Sequence, residues 1–285
     1  MKYLKYIVLG LSLGIFFSFI HVMDNNSITY SELILKISFS EYILTPNNAS
    51  YFDKITLCLF PLIIFQVVAG MEIYRHYCIA SVYYFSRCVN RMKWYFKESY
   101  SLILYDLVYL LFYILGHTIL SSFYYDITYD LTSIKLIFYF VVIYSLWNFI
   151  FSLLINIASL FFRSNGGFVV SIGIQMFFVS LHIAFQEKLY LIYDNDLTAE
   201  LLTKLIPFSH LMLSWHSSRD KSINEYINIY NISFDLNYSV ICLLVPSILI
   251  VVIGALIIKK IDFICSNKET GGWIWNWQLN IFQKL

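Results

Sequence analysis

Apolar residues along the chain fall into six long runs separated by polar segments. They cover Tyr3 to Met23, about Ile55 to Tyr74, Tyr100 to Ser121, Ile134 to Phe162, Phe168 to about Phe185, and Asn237 to Ile258. A helix rises about 1.5 Å per residue, so about 20 apolar residues cross about 30 Å of hydrocarbon. The pattern predicts an all-α, polytopic membrane protein: six transmembrane helices forming one domain. The first run shares a basic start and an apolar middle with signal peptides. It is longer than their apolar region, and its exit, HVMDNNS, lacks a small-x-small cleavage pattern, so it reads as a retained span. Pro61 predicts a kink in the second span. The fourth run exceeds one untilted crossing, which predicts tilt or projection beyond the bilayer. Arg163, Ser164, Asn165, Gly166 and Gly167 then predict a turn, because glycine reaches positive φ cheaply.

The polar segments carry their own pattern. The turn YYDITYD is short, which makes spans three and four an antiparallel hairpin. Between Ile28 and Ile43, Leu33, Ile34, Ile37 and Ile43 alternate with Glu32, Lys36 and Glu41, predicting a short amphipathic helix on the outer membrane surface. The longest polar segment, 186–236, contains LTAELLTKLIPFSHLMLSWH, which mixes apolar and polar residues at helical spacing around Pro207. It predicts short helices dipping into the outer leaflet. In the tail, Trp273, Trp275 and Trp277 suggest an interfacial anchor, with partner docking as the alternative.

Composition agrees with a membrane setting: 59% of residues are hydrophobic and 13% charged, against about 45–50% and about 25% in soluble domains. Mean hydropathy is +0.69. Net charge matters less than where the charges lie, and no basic face for nucleic acid is expected. The segment Glu72 to Glu98 holds Arg75, Arg87, Arg91, Lys93 and Lys97 against Glu72 and Glu98 alone. The positive-inside bias assigns it, Lys2, Lys5, Arg163, Lys259 and Lys260 to the cytoplasmic side, so both termini are expected there. Cys58 and Cys242 fall in spans, and Cys78, Cys88 and Cys265 fall on that same side, leaving none for an external disulfide.

Chemical motifs are few. No P-loop, H-E-x-x-H or G-x-S-x-G pattern occurs, so neither an ATP site of its own nor covalent catalysis is expected, and no catalytic residue, metal or cofactor is assigned. His117 and His182 lie near the outer ends of spans three and five and could meet. Intramembrane polar residues cost energy and face a partner or a cavity, which singles out Gln66, Glu72, Asp106, Asn148, Asn156 and Gln175. Glu72 and Asp106 are expected to pair with Arg75 or Arg163. The alternative is that Gln66, Asp106, Asn148, Asn156 and Gln175 line a substrate path.

Gly70-Met71-Glu72, Arg75, Tyr84-Phe85-Ser86-Arg87, Asn90-Arg91 and Lys93-Trp94 resemble the loop after the second span of ABC-2-type transporter permeases. The segments 161–168 and 205–208 resemble that family's turn between spans four and five and its proline-bearing segment after span five. The resemblance implies a bacterial cell-membrane permease subunit, working with a second permease copy or homologue and with a cytoplasmic ABC ATPase subunit. Residues 81–93 would be the coupling helix, with Glu72, Arg75, Tyr84, Phe85, Arg87, Arg91 and Lys93 at the ATPase and with Arg87 and Arg91 on one helical face. The implied activity is export of a peptide or other amphiphile. A non-transporting immunity or scaffold protein, binding a peptide through its outer segment, is the alternative.

Overall fold

The structure is a computed structural model and describes residues 2–20, 27–38, 48–83, 90–191, 201, 204–228 and 233–260. Six helical stretches are long and apolar enough to cross a membrane: Tyr3–Ile20, Ile55–Tyr77, Arg91–Ser121, Leu131–Phe162, Asn165–Ala184 and Leu236–Lys259. They fall within α1 (Lys2–Ile20), α3 (Asn48–Ala69) with α4 (Glu72–Tyr83), α5 (Arg91–Ser121), α6 (Leu131–Leu191) and α8 (Leu236–Lys260). The protein is a multi-pass helical membrane protein.

α6 keeps helical backbone geometry throughout, yet the chain reverses within it. The Ser171 hydroxyl donates to the Phe151 carbonyl at 3.4 Å, whereas residues so far apart in a straight helix lie about 30 Å from one another. A Cβ on Gly167 would approach the Ser159 nitrogen to 2.6 Å, so only glycine lets the two arms close so tightly. α6 is therefore two antiparallel arms, and the expected turn lies between Phe162 and Asn165.

Glycines also set the α1–α5 contact. A Cβ on Gly10 would lie 2.5 Å from the Tyr109 carbonyl, one on Gly14 would collide with the Tyr113 carbonyl, and one on Gly116 would lie 2.6 Å from the Leu11 carbonyl. With no side chain between them the backbones touch, as small-residue packing in membranes allows. Toward the far end of the same seam, the hydroxyls of Ser18 and Ser121 sit 2.9 Å apart.

Three expectations change. The third span starts at Arg91 rather than Tyr100: Asn90 has non-helical dihedrals (φ −128°, ψ 82°), and its side chain caps the Lys93 amide at 3.1 Å. A helix running uninterrupted through 81–93 is therefore excluded at Asn90, while Arg87 and the shared face expected for it with Arg91 lie outside the described residues. The amphipathic element is α2 (Tyr30–Ile37), with Ile43 outside the described residues. Its apolar face is covered by protein, because α2 is buried against α5 and α6. Leu33, Ile34, Ile37 and Lys36 are all covered, and the Lys36 ammonium lies 5.4 Å from the Tyr125 ring. Its position follows from a Thr29–Glu32 capping box, from Ser31 donating to Asp130 at 2.6 Å, and from β1 (Ser27–Thr29) pairing in parallel with β2 (Asp126–Thr128).

The polar segment after span five is the third change. Two 3-10 turns, Pro207–Leu211 and Leu213–Trp215, are packed against the bundle, with residues 206 and 208–216 buried and Pro207 half-buried. A short helix, α7 (Lys221–Ile227), and a Ser217–Asp235 bridge close over this plug before α8 begins.

Candidate functional site

The site is built from one polar residue in each of four helical stretches, all close to mid-span: Gln66 in α3, Asp106 in α5, Asn148 in the first arm of α6 and Gln175 in the second. All four are wholly buried. Gln66 and Gln175 form a reciprocal amide pair, Gln175 Nε2 donating to Gln66 Oε1 at 2.7 Å and Gln66 Nε2 to Gln175 Oε1 at 3.3 Å. Gln66 Nε2 also donates to Asn148 Oδ1 at 3.2 Å, and Asn148 Nδ2 donates to Asp106 Oδ1 at 2.9 Å. The chain of bonds ends at Asp106 Oδ2, which has no hydrogen-bond partner. Hydrocarbon offers no water, so each polar group must find another, and mutual satisfaction ties these helices into one register.

Asn156 does not join this cluster. Its Oδ1 accepts from the Tyr74 amide at 2.8 Å, and its Nδ2 donates to the Ser152 carbonyl at 2.7 Å. Tyr74 belongs to the first turn of α4, where amides lack intrahelical acceptors. Asn156 thus caps α4 from a neighbouring helix after the break at Gly70 and Met71. Glu72 pairs with Lys5 rather than with Arg75, Asp106 is held by an amide, and the Arg163 side chain lies outside the described ones. Arg75 is exposed. Tyr84, Phe85 and Arg87 lie outside the described residues, as do Trp273, Trp275 and Trp277.

At the end where α1 starts, a collar joins three helices. Lys5 of α1 meets Glu72 of α4, His76 Nδ1 lies 3.2 Å from Glu98 Oε2 of α5, and the Tyr77 and Trp94 rings are 6.1 Å apart. Arg91 and Lys93 occupy the first turn of α5, which holds no acidic residue, and Lys93 and Lys97 are exposed.

At the opposite end the plug is held by histidines. His117 and His182 are engaged separately: His117 Nδ1 is 3.2 Å from Ser121 Oγ, while His182 Nδ1 is 3.0 Å from Ser209 Oγ. His216 Nδ1 lies 2.8 Å from the Met212 carbonyl, which only accepts, so Nδ1 carries the proton. His216 Nε2 then accepts from Ser239 at 2.6 Å, and His210 Nδ1 lies 2.8 Å from the same hydroxyl. Burial pushes His210 down to about 4, and burial with neighbouring His210 pushes His216 down to about 3. Tyr144 links the plug to α2, its hydroxyl 3.2 Å from the Leu211 carbonyl and 3.3 Å from the Ser38 carbonyl.

Sequence reasoning missed Lys5, Tyr144 and the glycine seam. The first two carry no signal, but Gly10 and Gly14 form a G-x-x-x-G pattern in an apolar run, which was legible. Among the described residues no group of three His, Cys, Asp or Glu side chains converges on a metal position.

Fold and site together define a six-span membrane protein knotted by buried amides at its centre and plugged at one end. Residues 7–264 match the model of a family of unknown function, DUF2705, and the chain belongs to that family. No curated protein and no solved structure matches it.

Proposed function

We propose that the protein is the membrane subunit of an ATP-driven exporter of a peptide or other amphiphile. It works with a second permease copy or homologue and is energised by a separate cytoplasmic ABC ATPase in a bacterial cell membrane. The observation that carries this reading is the basic start of α5. Arg91 and Lys93 stand in its first turn, at the positive end of the helix dipole, where each cation costs about 0.3–1 kcal/mol. An acidic partner surface would meet the exposed Lys93 and Lys97. The collar supplies the route for force, because a push on the start of α5 reaches α4 through Glu98–His76 and Trp94–Tyr77, and α1 through Glu72–Lys5. The resemblance to ABC-2-type permeases supports the same assignment.

The immunity or scaffold alternative works through the outer segment 186–236, and the part of it that packs against the bundle, residues 206 and 208–216, is buried and leaves little of that stretch for a peptide. The test is affinity purification of the intact protein from its host membrane. A stoichiometric P-loop ATPase whose hydrolysis responds to this subunit is expected, with recovery abolished by R87E combined with R91E while membrane insertion stays intact. Unchanged recovery with those reversals overturns the proposal.

A further inference from the structure

Between α1, α3 and α5 runs a continuous seam of aromatic rings. Tyr3 stands edge-on to Tyr105 with centroids 5.1 Å apart, and Tyr105 stacks on Tyr6 at 4.8 Å. Tyr6 meets Phe65 at 5.8 Å, Phe65 meets Tyr109 at 5.0 Å, and Tyr109 stacks on Tyr113 at 6.2 Å. The seam has one carboxylate at its mouth and another at its middle. At the mouth, Glu72 is paired with Lys5, whose ammonium also lies 4.6 Å from the centre of the Tyr6 ring. The chain's own lysine shows what ring and carboxylate together hold, since the face of an aromatic ring attracts a cation.

Asp106 is a second carboxylate, deeper in the bundle. It follows Tyr105 directly, precedes Tyr109 by one turn on the same face of α5, and is wholly buried. Oδ1 takes the Asn148 amide, while Oδ2 meets neither donor nor acceptor, so neither charge state of the carboxyl is satisfied by the groups around it. Among the described residues Asp106 enters no ion pair, and the amides of Gln66, Asn148 and Gln175 are engaged with one another. An intramembrane acid of this kind marks a ligand path, and the sign of its charge selects a cation.

We propose that the α1–α3–α5 seam binds amphiphiles carrying an ammonium group, the charge lodging at Asp106 Oδ2 beside the Tyr105 and Tyr109 rings. Lys5 and Glu72 form the outer station, where an incoming amine takes the place of Lys5. The exported substrate is then a cationic amphiphile, and this assignment rests on the exporter reading, whereas the binding step needs no ATPase.

The experiment uses the full chain in nanodiscs of uncharged lipid, with empty discs subtracted. The probes are dodecyltrimethylammonium, dodecyl sulfate and an uncharged dodecyl glycoside. Saturable binding of the ammonium alone is expected in the natural protein. D106N should weaken it at least about tenfold, the equivalent of one strong charge contact, whereas D106E retains most of it. K5Q should tighten it by removing the competing cation. Equal binding of charged and uncharged probes, or an ammonium preference that survives D106N, overturns the proposal and leaves a buried water as the partner of Oδ2. Should D106N fail to fold, K5Q decides: unchanged or weaker ammonium binding overturns the path. Cation-selective binding combined with a purification from the host membrane that recovers no ATPase would remove the exporter reading and leave this site standing.

Discussion

Gln66 holds the central cluster together, because its amide alone touches both Asn148 and Gln175. Replacing it with leucine leaves Gln175 and Asn148 buried with lost partners, and an unmade buried bond costs about 1–3 kcal/mol. Q66L should therefore destabilise the protein by about that much in reversible unfolding from mixed micelles. Q66L combined with Q175L should cost less than the two single losses added, since the double variant removes both members of the amide pair and leaves only Asn148 Oδ1 short of a donor. Strict additivity would show that the amide pair is not a unit. Polarity alone marked Gln66, Asp106, Asn148 and Gln175 in the sequence, because each interrupts an apolar run. Which of them meet depends on how four helices are rotated about their axes, and no residue pattern reports that. Asn156 shows the limit: it looks like its neighbours in sequence, yet it caps the Tyr74 amide of a helix broken at Gly70.

Helices here are positioned by what their surfaces lack as much as by what they carry. G14V would drive a branched side chain into the Tyr113 carbonyl and should separate α1 from α5, with a loss of several kcal/mol or failure to accumulate in the membrane. G173A meets nothing within 4 Å and should leave stability unchanged or slightly raised, measured in the same unfolding assay. The plug answers to pH. His210 and His216 have folded values of about 4 and about 3, below the ordinary value of about 6.5 that the unfolded chain shows. Between those limits the unfolded state binds more protons, so stability rises with pH. The histidine contribution is complete above about pH 6.5 and is lost progressively as pH falls toward 4 and 3. H216N should flatten that slope; a slope identical to that of the natural protein would mean the relay does not set it. The six spans were legible because hydropathy reports length. Their ends were not: Arg91, Lys93, Lys97 and Glu98 lowered the hydropathy of about two and a half turns that α5 nonetheless contains, although Asn90 ahead of it is an ordinary helix cap. The segments α2 and 206–216 were misplaced for a related reason, since a helix with one apolar face looks alike whether that face meets lipid or protein.

For the whole molecule, what decides between readings is which side of the membrane each end faces. One end carries the collar, with Lys5, Arg75, Arg91, Lys93, Lys97 and Lys259; the other carries the plug, α7 and the Lys135–Asp220 pair. Lysine and arginine in short connections favour the cytoplasm, because translocating them during insertion is costly. The collar end is therefore expected inside, facing ATP, and the plug end outside, as a closure that export must displace. Exposed positions at the two ends test this directly. In a variant whose own cysteines are replaced, R219C should react with a membrane-impermeant thiol reagent in intact cells, and K97C should react only after permeabilisation. The reverse pattern would put Arg91 and Lys93 on the side without ATP. It would remove the ATPase reading at once, whatever co-purifies, while leaving the amide cluster and the glycine seam untouched, since neither depends on orientation.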